Sequence, residues 1–120
     1  MVNPPELLEA TCHSAAGTVR SPTQVVPANH RRSIYWFRAI NDPTSRTGTV
    51  GLRIQHITSG GTVQDKDTLQ FTTLGETQIY PDELKRDSLP LWVYTASCIT
   101  RFQAVGGTVR MRFLYAEEME

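Results

Sequence analysis

The chain has 120 residues, the length of a single domain, and its 12 basic and 12 acidic side chains give a formal net charge of zero. A balanced charge argues against a general nucleic-acid-binding protein, which usually carries a basic excess. The sequence has neither the ~20 consecutive apolar residues of a membrane helix nor a secretory signal at its start. We therefore expect a protein that is made in a reducing cytoplasm and binds neither nucleic acid nor membrane.

The first thirty residues differ from the rest of the chain. Four prolines interrupt them, and their apolar residues follow no sustained period. We predict an extended N-terminal arm over residues 1–30 and a folded domain over residues 31–120. Within the arm, residues 17–20 are expected to add an edge strand, where flanking proline is tolerated. Such an arm either packs along its own domain or reaches a neighbouring subunit.

The folded domain shows a series of short strand patterns. Residues 33–39 are β-branched and aromatic and apolar on both faces, which is typical of a central strand. Residues 49–56 and 68–73 alternate between apolar and polar, with a polar bend before the second of them. Residues 77–80 predict a brief strand. Residues 81–86 predict one helical turn, with proline and acids at its start and bases at its end.

The C-terminal part predicts a hairpin around which the sheet is organised. Its first strand, residues 89–97, is apolar on both faces, and its second, residues 108–115, alternates and follows a glycine pair. The acidic residues 117–120 are expected to fray. Seven or eight short strands with regular turn signals predict an all-β fold, an antiparallel β-sandwich that is jelly-roll-like. A small closed barrel is the alternative.

The residues that usually carry chemistry are scattered. His13, His30 and His56 have no second ligand at zinc spacing, and the sequence contains neither a serine-nucleophile motif nor a phosphate-binding loop. Cys12 and Cys98 are expected to be free, partly buried thiols, with a disulfide between them as the alternative. We therefore expect no enzyme activity, no cofactor and no metal site.

Several features together resemble those of a small structural protein of a virus particle: a short all-β domain, a proline-rich arm, arginine-rich polar faces, a threonine-rich composition and no leader or catalytic motif. Over roughly residues 17–115 this pattern resembles the decoration or cement proteins that clamp the capsid of tailed bacteriophages. The resemblance implies a protein of the virion that forms a homodimer or homotrimer. It also implies binding to the major capsid protein at junctions between its subunits, which stabilises the shell.

The contacts to such partners are predicted in the arm, which would drape over a neighbour, and on one strand face near the C-terminus. The predicted contact residues are Arg20, Pro22, Val25, Val26, Pro27, His30, Arg31, Arg32, Arg110 and Arg112. Removal of residues 1–30 is then expected to leave a folded domain that no longer binds. The alternative function is a glycan-binding or other recognition module of a viral fibre or tail, in which an exposed Trp36 or Trp92 stacks on a sugar ring.

Overall fold

The computed structural model describes residues 5–44, 49–80 and 90–119, which form a sandwich of two antiparallel sheets. The predicted β-sandwich is therefore confirmed. The described strands are β1 (Glu6–His13), β2 (Thr18–Arg20), β3 (His30–Asn41), β4 (Val50–Ile57), β5 (Val63–Phe71), β6 (Thr77–Tyr80), β7 (Trp92–Tyr94), β8 (Ile99–Val105) and β9 (Thr108–Met119), with a 3-10 turn at Ser14–Ala16.

The strand order is that of a jelly roll. Sheet A has the order β1-β9-β3-β6, with β7 also paired to β3, and sheet B has the order β2-β8-β4-β5. Strands β6 and β7 pair with different parts of β3, so together they occupy one edge position. Because the chain crosses between the sheets repeatedly, most of its pairings join residues that are distant in sequence, as in the two Greek keys of a jelly roll.

Strand β3 is the centre of sheet A, as its apolar pattern predicted. It pairs with β9 on one side and with β6 and β7 on the other. Its Phe37 stacks on Phe102 of β8 and Phe113 of β9, with ring centroids 6.0 Å and 5.9 Å away. A bulge at Tyr35 shifts the register with β9 between Ile34 and Trp36. This single extra residue decides which side chains of β3 face the core.

The predicted C-terminal hairpin is wrong. Strand β7 has only three residues and pairs with β3, while β8 and β9 follow one another in sequence but lie in opposite sheets. Between them Gly106 has φ +87°, and a Cβ there would lie 3.0 Å from the backbone oxygen of Thr49, so the crossing needs glycine. Alternation in the sequence identified strands but could not assign their partners.

Most of the predicted arm belongs to the sandwich. Strand β1 pairs with β9 over eight residues, and β2 pairs with β8 as the expected edge strand. Between β2 and β3, Val26 is buried and its backbone N–H donates to the oxygen of Cys98. Of the two alternatives for the arm, the structure shows packing along its own domain. Apolar residues of β1 such as Cys12 complete the core, which is why this stretch is ordered as a strand.

Of three smaller predictions, two differ from the structure and one concerns residues outside the described ranges. The polar bend is a bulge within β5, where Asp67 pairs with Ile54 and Asp65 with Gln55, leaving Lys66 as the extra residue. Residues 117–119 do not fray, because they belong to β9 and pair with β3, and residue 120 lies outside the described residues. The helical turn predicted over residues 81–86 lies outside the described residues.

Candidate functional site

Arg32, predicted as a surface contact, is buried inside the sandwich. Its side chain is 0% exposed, and its Nη2 lies 2.6 Å from Oε1 of Glu117. It also donates hydrogen bonds to Oγ1 of Thr100 at 3.0 Å and to the backbone oxygen of Gln24 at 3.1 Å. A buried arginine with these partners holds β3, β8 and β9 together, so its placement on a contact surface is corrected.

Arg31 lies on the opposite face of the same strand and is half-exposed. Its Nη2 donates to Oε2 of Glu118 at 3.0 Å, and the hydroxyl of Tyr35 donates to the other oxygen of that carboxylate. The hydrogen bond from Tyr35, followed by the charge of Arg31, lowers the pKa of Glu118 below its ordinary value. Arg31 is therefore accessible, but its charge is balanced within the chain.

The other predicted arm residues do not form one surface with the C-terminal arginines. Arg20, Val25 and Pro27 are exposed, Pro22 and Val26 are buried, and His30 is half-buried with its Nδ1 2.8 Å from the oxygen of Ala28. Arg20 belongs to sheet B, whereas Arg110 and Arg112 belong to sheet A. The predicted set therefore divides between the core and different faces of the molecule.

The outer face of sheet A brings Arg110 and Arg112 together with Arg38, which was not among the predicted contact residues. Arg38 on β3 and Arg112 on β9 are direct cross-strand partners. Strand alternation contained the signal, since Arg38 alternates with the buried Phe37 and Ala39. The apolar residues on both faces of residues 33–39 obscure this signal in the sequence.

Two carboxylates accompany these arginines. Oδ2 of Asp42 lies 2.7 Å from Nε of Arg110. Oε1 of Glu9 lies 3.3 Å from Nε of Arg112, and this second pair lacks hydrogen-bond geometry. Hydrogen bonds from the backbone N–H and hydroxyl of Thr44, with the nearby charge of Arg110, lower the pKa of Asp42. Both oxygens of the Asp42 carboxylate are thus already engaged, Oδ1 by Thr44 and Oδ2 by Arg110.

These side chains surround an open depression of about 580 Å³ on the face of the sheet. Its lining residues come from β1, β3, β9 and the turn after β3, and they are Glu9, Ala10, Thr11, His13, Arg38, Ile40, Asp42, Thr44, Arg110, Met111 and Arg112. A depression of this size can hold a few side chains of a partner.

Apolar side chains lie beside the arginines on the same outer face. Leu7 of β1 and Trp36 of β3 both flank Leu114 of β9, and Ile79 of β6 is the neighbour of Arg38. Leu7 is 48% and Ile79 41% exposed, and Trp36 and Leu114 are half-buried. We call these four residues, together with Arg38, Arg110 and Arg112, the sheet A patch.

The two tryptophans differ in placement. Trp92 packs edge-on against Phe37, with ring centroids 5.2 Å apart, and so belongs to the core side of sheet A. Trp36 is next to the core-facing Phe37 and lies on the outer face, together with Arg38 and Ile40. One tryptophan therefore remains available to a partner or a sugar, as the glycan alternative requires.

The two cysteines are free and buried, which confirms the expectation from their separation. Burial raises the pKa of the Cys12 thiol, whose sulfur accepts a hydrogen bond from the backbone N–H of Ala104. Within residues 5–44, 49–80 and 90–119, no three metal-ligating side chains come together. The same residues contain no helix long and apolar enough to cross a membrane.

Comparison with known proteins identifies the class of fold. No protein-family model matches the sequence, and no curated protein does. A structure of Bacillus endospore appendages, described as disulfide-linked pili, matches 98% of this chain and 88% of its own chain with a TM-score of 0.53 at 12% identity. The Drosophila NLP-core, described with pentamer formation and histone binding, matches 98% of both chains with a TM-score of 0.53 at 10% identity.

A third structure, from the Gx strain of infectious bursal disease virus, covers 98% of this chain and 37% of its own with a TM-score of 0.37 at 16% identity. That similarity is too low to carry an argument. At these identities the first two matches establish a shared β-sandwich fold, and function rests on the site itself.

Proposed function

We propose that this protein is a structural component of a virus particle that binds the outside of the capsid shell at subunit junctions and stabilises it, as a cement or decoration protein does. The observation that carries the proposal is the sheet A patch. It combines an outward-facing tryptophan, three arginines and exposed leucine and isoleucine side chains on one broad sheet face. Tryptophan and arginine are the residue types that contribute most to protein–protein binding.

The shape of the domain supports this role. Its extents are 44 × 34 × 18 Å, so it is a thin slab with two broad faces. A stable interface needs roughly 800 Å² from each partner, and a single broad face can supply that area. A flat, rigid sandwich placed across a junction adds contact area on both sides of it, and many copies on one shell add avidity.

The fold is also consistent with assembly. Jelly rolls are found in viral capsid proteins and lectins, and two of the structures with a similar fold are described as pili and with pentamer formation. This support is analogy at the level of fold. Self-association into a dimer or trimer is part of the proposal, and light scattering of the purified protein tests it.

Sedimentation of the protein with undecorated capsids tests the main proposal. The double variant Leu7→Ser/Ile79→Ser removes two exposed apolar side chains from the sheet A patch. The matched control, Val105→Ser/Val63→Ser, removes two side chains of similar exposure, 47% and 42%, from sheet B. We expect the first variant to lose capsid binding and the control to bind as the wild type does. Equal binding by both variants, or no binding by the wild type, would refute the proposal.

Glycan binding remains a second candidate because Trp36 is partly exposed beside a polar depression. An aromatic ring next to hydrogen-bonding side chains can stack on a sugar. Quenching of tryptophan fluorescence during titration with a panel of oligosaccharides tests it. Saturable quenching that disappears in Trp36→Ser would favour this function over capsid binding.

A further inference from the structure

The pair Arg38–Arg112 is unfavourable for the fold by itself. The two residues are directly opposite each other on β3 and β9, and both belong to the outer face of sheet A. Directly opposed side chains on neighbouring strands have Cβ atoms about 5 Å apart, and like charges in this position destabilise the sheet. A neutral residue at either position would suit the fold better.

The neighbouring carboxylates cancel this positive charge only in part. Asp42 is engaged by Arg110 and by Thr44. Glu9 is opposite Arg112 on β1 and forms an exposed ion pair with it at 3.3 Å, without a hydrogen bond to its Nε. Arg38 has no ion-pair partner within the part of the chain that the structure describes. Three arginines and two carboxylates leave one positive charge in excess at the depression.

We propose that Arg38 and Arg112 form a binding site for the carboxylates of an acidic segment on the partner protein. This inference rests on the proposed function and names the chemistry of the segment that the sheet A patch recognises. A guanidinium group binds a carboxylate through two parallel hydrogen bonds, and a carboxylate placed between two arginines removes the repulsion between them. The free energy that the pair costs the isolated domain is then recovered in the complex.

The surroundings of the pair favour a protein segment over a nucleic acid. Trp36 and Ile40 lie two residues to either side of Arg38 on the outer face of β3. Leu114 lies two residues after Arg112 on the outer face of β9. An acidic segment with one apolar side chain can therefore contact both the charge and the apolar surface. The fixed carboxylate of Asp42 and the excess of only one charge would repel or poorly hold a chain of phosphates.

A second cross-strand arginine pair, on sheet B, provides the comparison. Arg20 of β2 is opposite Arg101 of β8. Here Nε of Arg101 donates to Oε1 of Gln55 at 2.9 Å, and Nε2 of Gln55 donates to Oδ1 of Asp65 at 2.9 Å. This relay connects the pair to an acidic side chain of the same sheet, so the sheet B pair has less need of an external anion.

The test titrates the full-length protein with two probes, a capped peptide Glu-Glu-Leu-Glu-Glu and the same peptide with glutamine in place of each glutamate. Binding is followed by backbone amide chemical shifts, which locate the contact on the sheet. We expect saturable shifts at the sheet A patch with the glutamate peptide, absent with the glutamine peptide and weakened by high salt. Arg38→Gln should weaken binding about tenfold, whereas the control Arg20→Gln, with the same change of charge, should not.

Stability measurements complete the test, because a purely structural arginine would behave differently. Without peptide, Arg38→Gln should be at least as resistant to urea as the wild type, since it removes the repulsion with Arg112. Undiminished peptide binding by Arg38→Gln, equal loss in Arg20→Gln, or tighter binding of an oligonucleotide at the same patch would overturn the inference.

The capsid assay separates this inference from the function on which it rests. If the wild type binds capsids and Arg38→Gln binds them equally well, the acidic-segment site is wrong and the cement function stands. If the peptide binds through Arg38 but the wild type does not sediment with capsids, the site stands and the proposed function is wrong.

Discussion

Replacement of Arg32 by alanine provides the sharpest test of how the two sheets are held together. Arg32 and Arg31 are adjacent, and each pairs with one of two adjacent glutamates on β9. They differ in burial, since the Arg32 side chain is 0% and the Arg31 side chain 48% exposed. Arg31→Ala is therefore a matched control, in which the same strands lose an ion pair whose arginine is half-exposed and whose glutamate keeps the hydrogen bond from Tyr35.

The expected loss of stability follows from the groups that Arg32→Ala leaves without a partner, above all the carboxylate of Glu117. The guanidinium of Arg32 donates four hydrogen bonds, two to Glu117 and one each to Thr100 and to the backbone of Gln24. Removing one partner of a buried ion pair costs about 3–5 kcal/mol, because the other charge stays buried without compensation. Glu117 is 17% exposed and keeps some contact with water, so we expect about 3 kcal/mol. Arg31→Ala should cost about 1 kcal/mol or less, because Arg31 is half-exposed and Glu118 keeps the hydrogen bond from Tyr35.

Urea denaturation measures both variants. At a slope of about 1–3 kcal/mol per molar urea, Arg32→Ala should lower the midpoint by about 1–3 M, and Arg31→Ala by much less. The double variant Arg32→Met/Glu117→Gln restores apolar volume without an unpaired charge and should be more stable than Arg32→Ala. Equal effects of the two alanine variants would refute the assignment of Arg32 to the interior. A double variant as unstable as the single one would show that lost packing, and not the uncompensated charge, is the cause.

Three further changes have defined outcomes. Removal of residues 1–13 takes away β1 and exposes the edge of β9, so we expect an unfolded or aggregated chain, whereas the sequence predicted a folded domain even after removal of residues 1–30. Circular dichroism and light scattering check this. Gly106→Ala should cost about 1–3 kcal/mol because of its positive φ, whereas Gly60→Ala, at ordinary φ, should be near neutral; similar melting temperatures for the two would contradict this. Because the pKa of Glu118 is lowered from 4.5, its ionised form stabilises the fold above that pH, and the contribution is lost as the pH falls below it. Tyr35→Phe, which removes the principal hydrogen bond to Glu118, should flatten the decline of stability in acid, as measured by urea midpoints across that pH range; an unchanged slope would contradict this cause.

The sequence determined the class of fold because strand alternation is a local property. Residues two apart share a face of a strand whatever their partner is, so the alternating patterns predicted the strands, the sandwich and the central position of residues 33–39. The same pattern placed Arg110 and Arg112 opposite the apolar face of their strand. The predicted hairpin failed for the complementary reason, since the choice between neighbours in a jelly roll depends on contacts across long sequence separations.

The tertiary structure alone decided which arginines face the core and which meet across strands. Counting back from Phe37 in strict alternation would place Arg31 inside and Arg32 outside. The bulge at Tyr35 inserts one residue and exchanges the faces of Arg31 and Arg32, because a shift of one position moves every side chain on the far side of the bulge to the opposite face. Likewise, Arg38 and Arg112 are separated by 74 positions in the sequence, and only the register of β3 with β9 places them side by side.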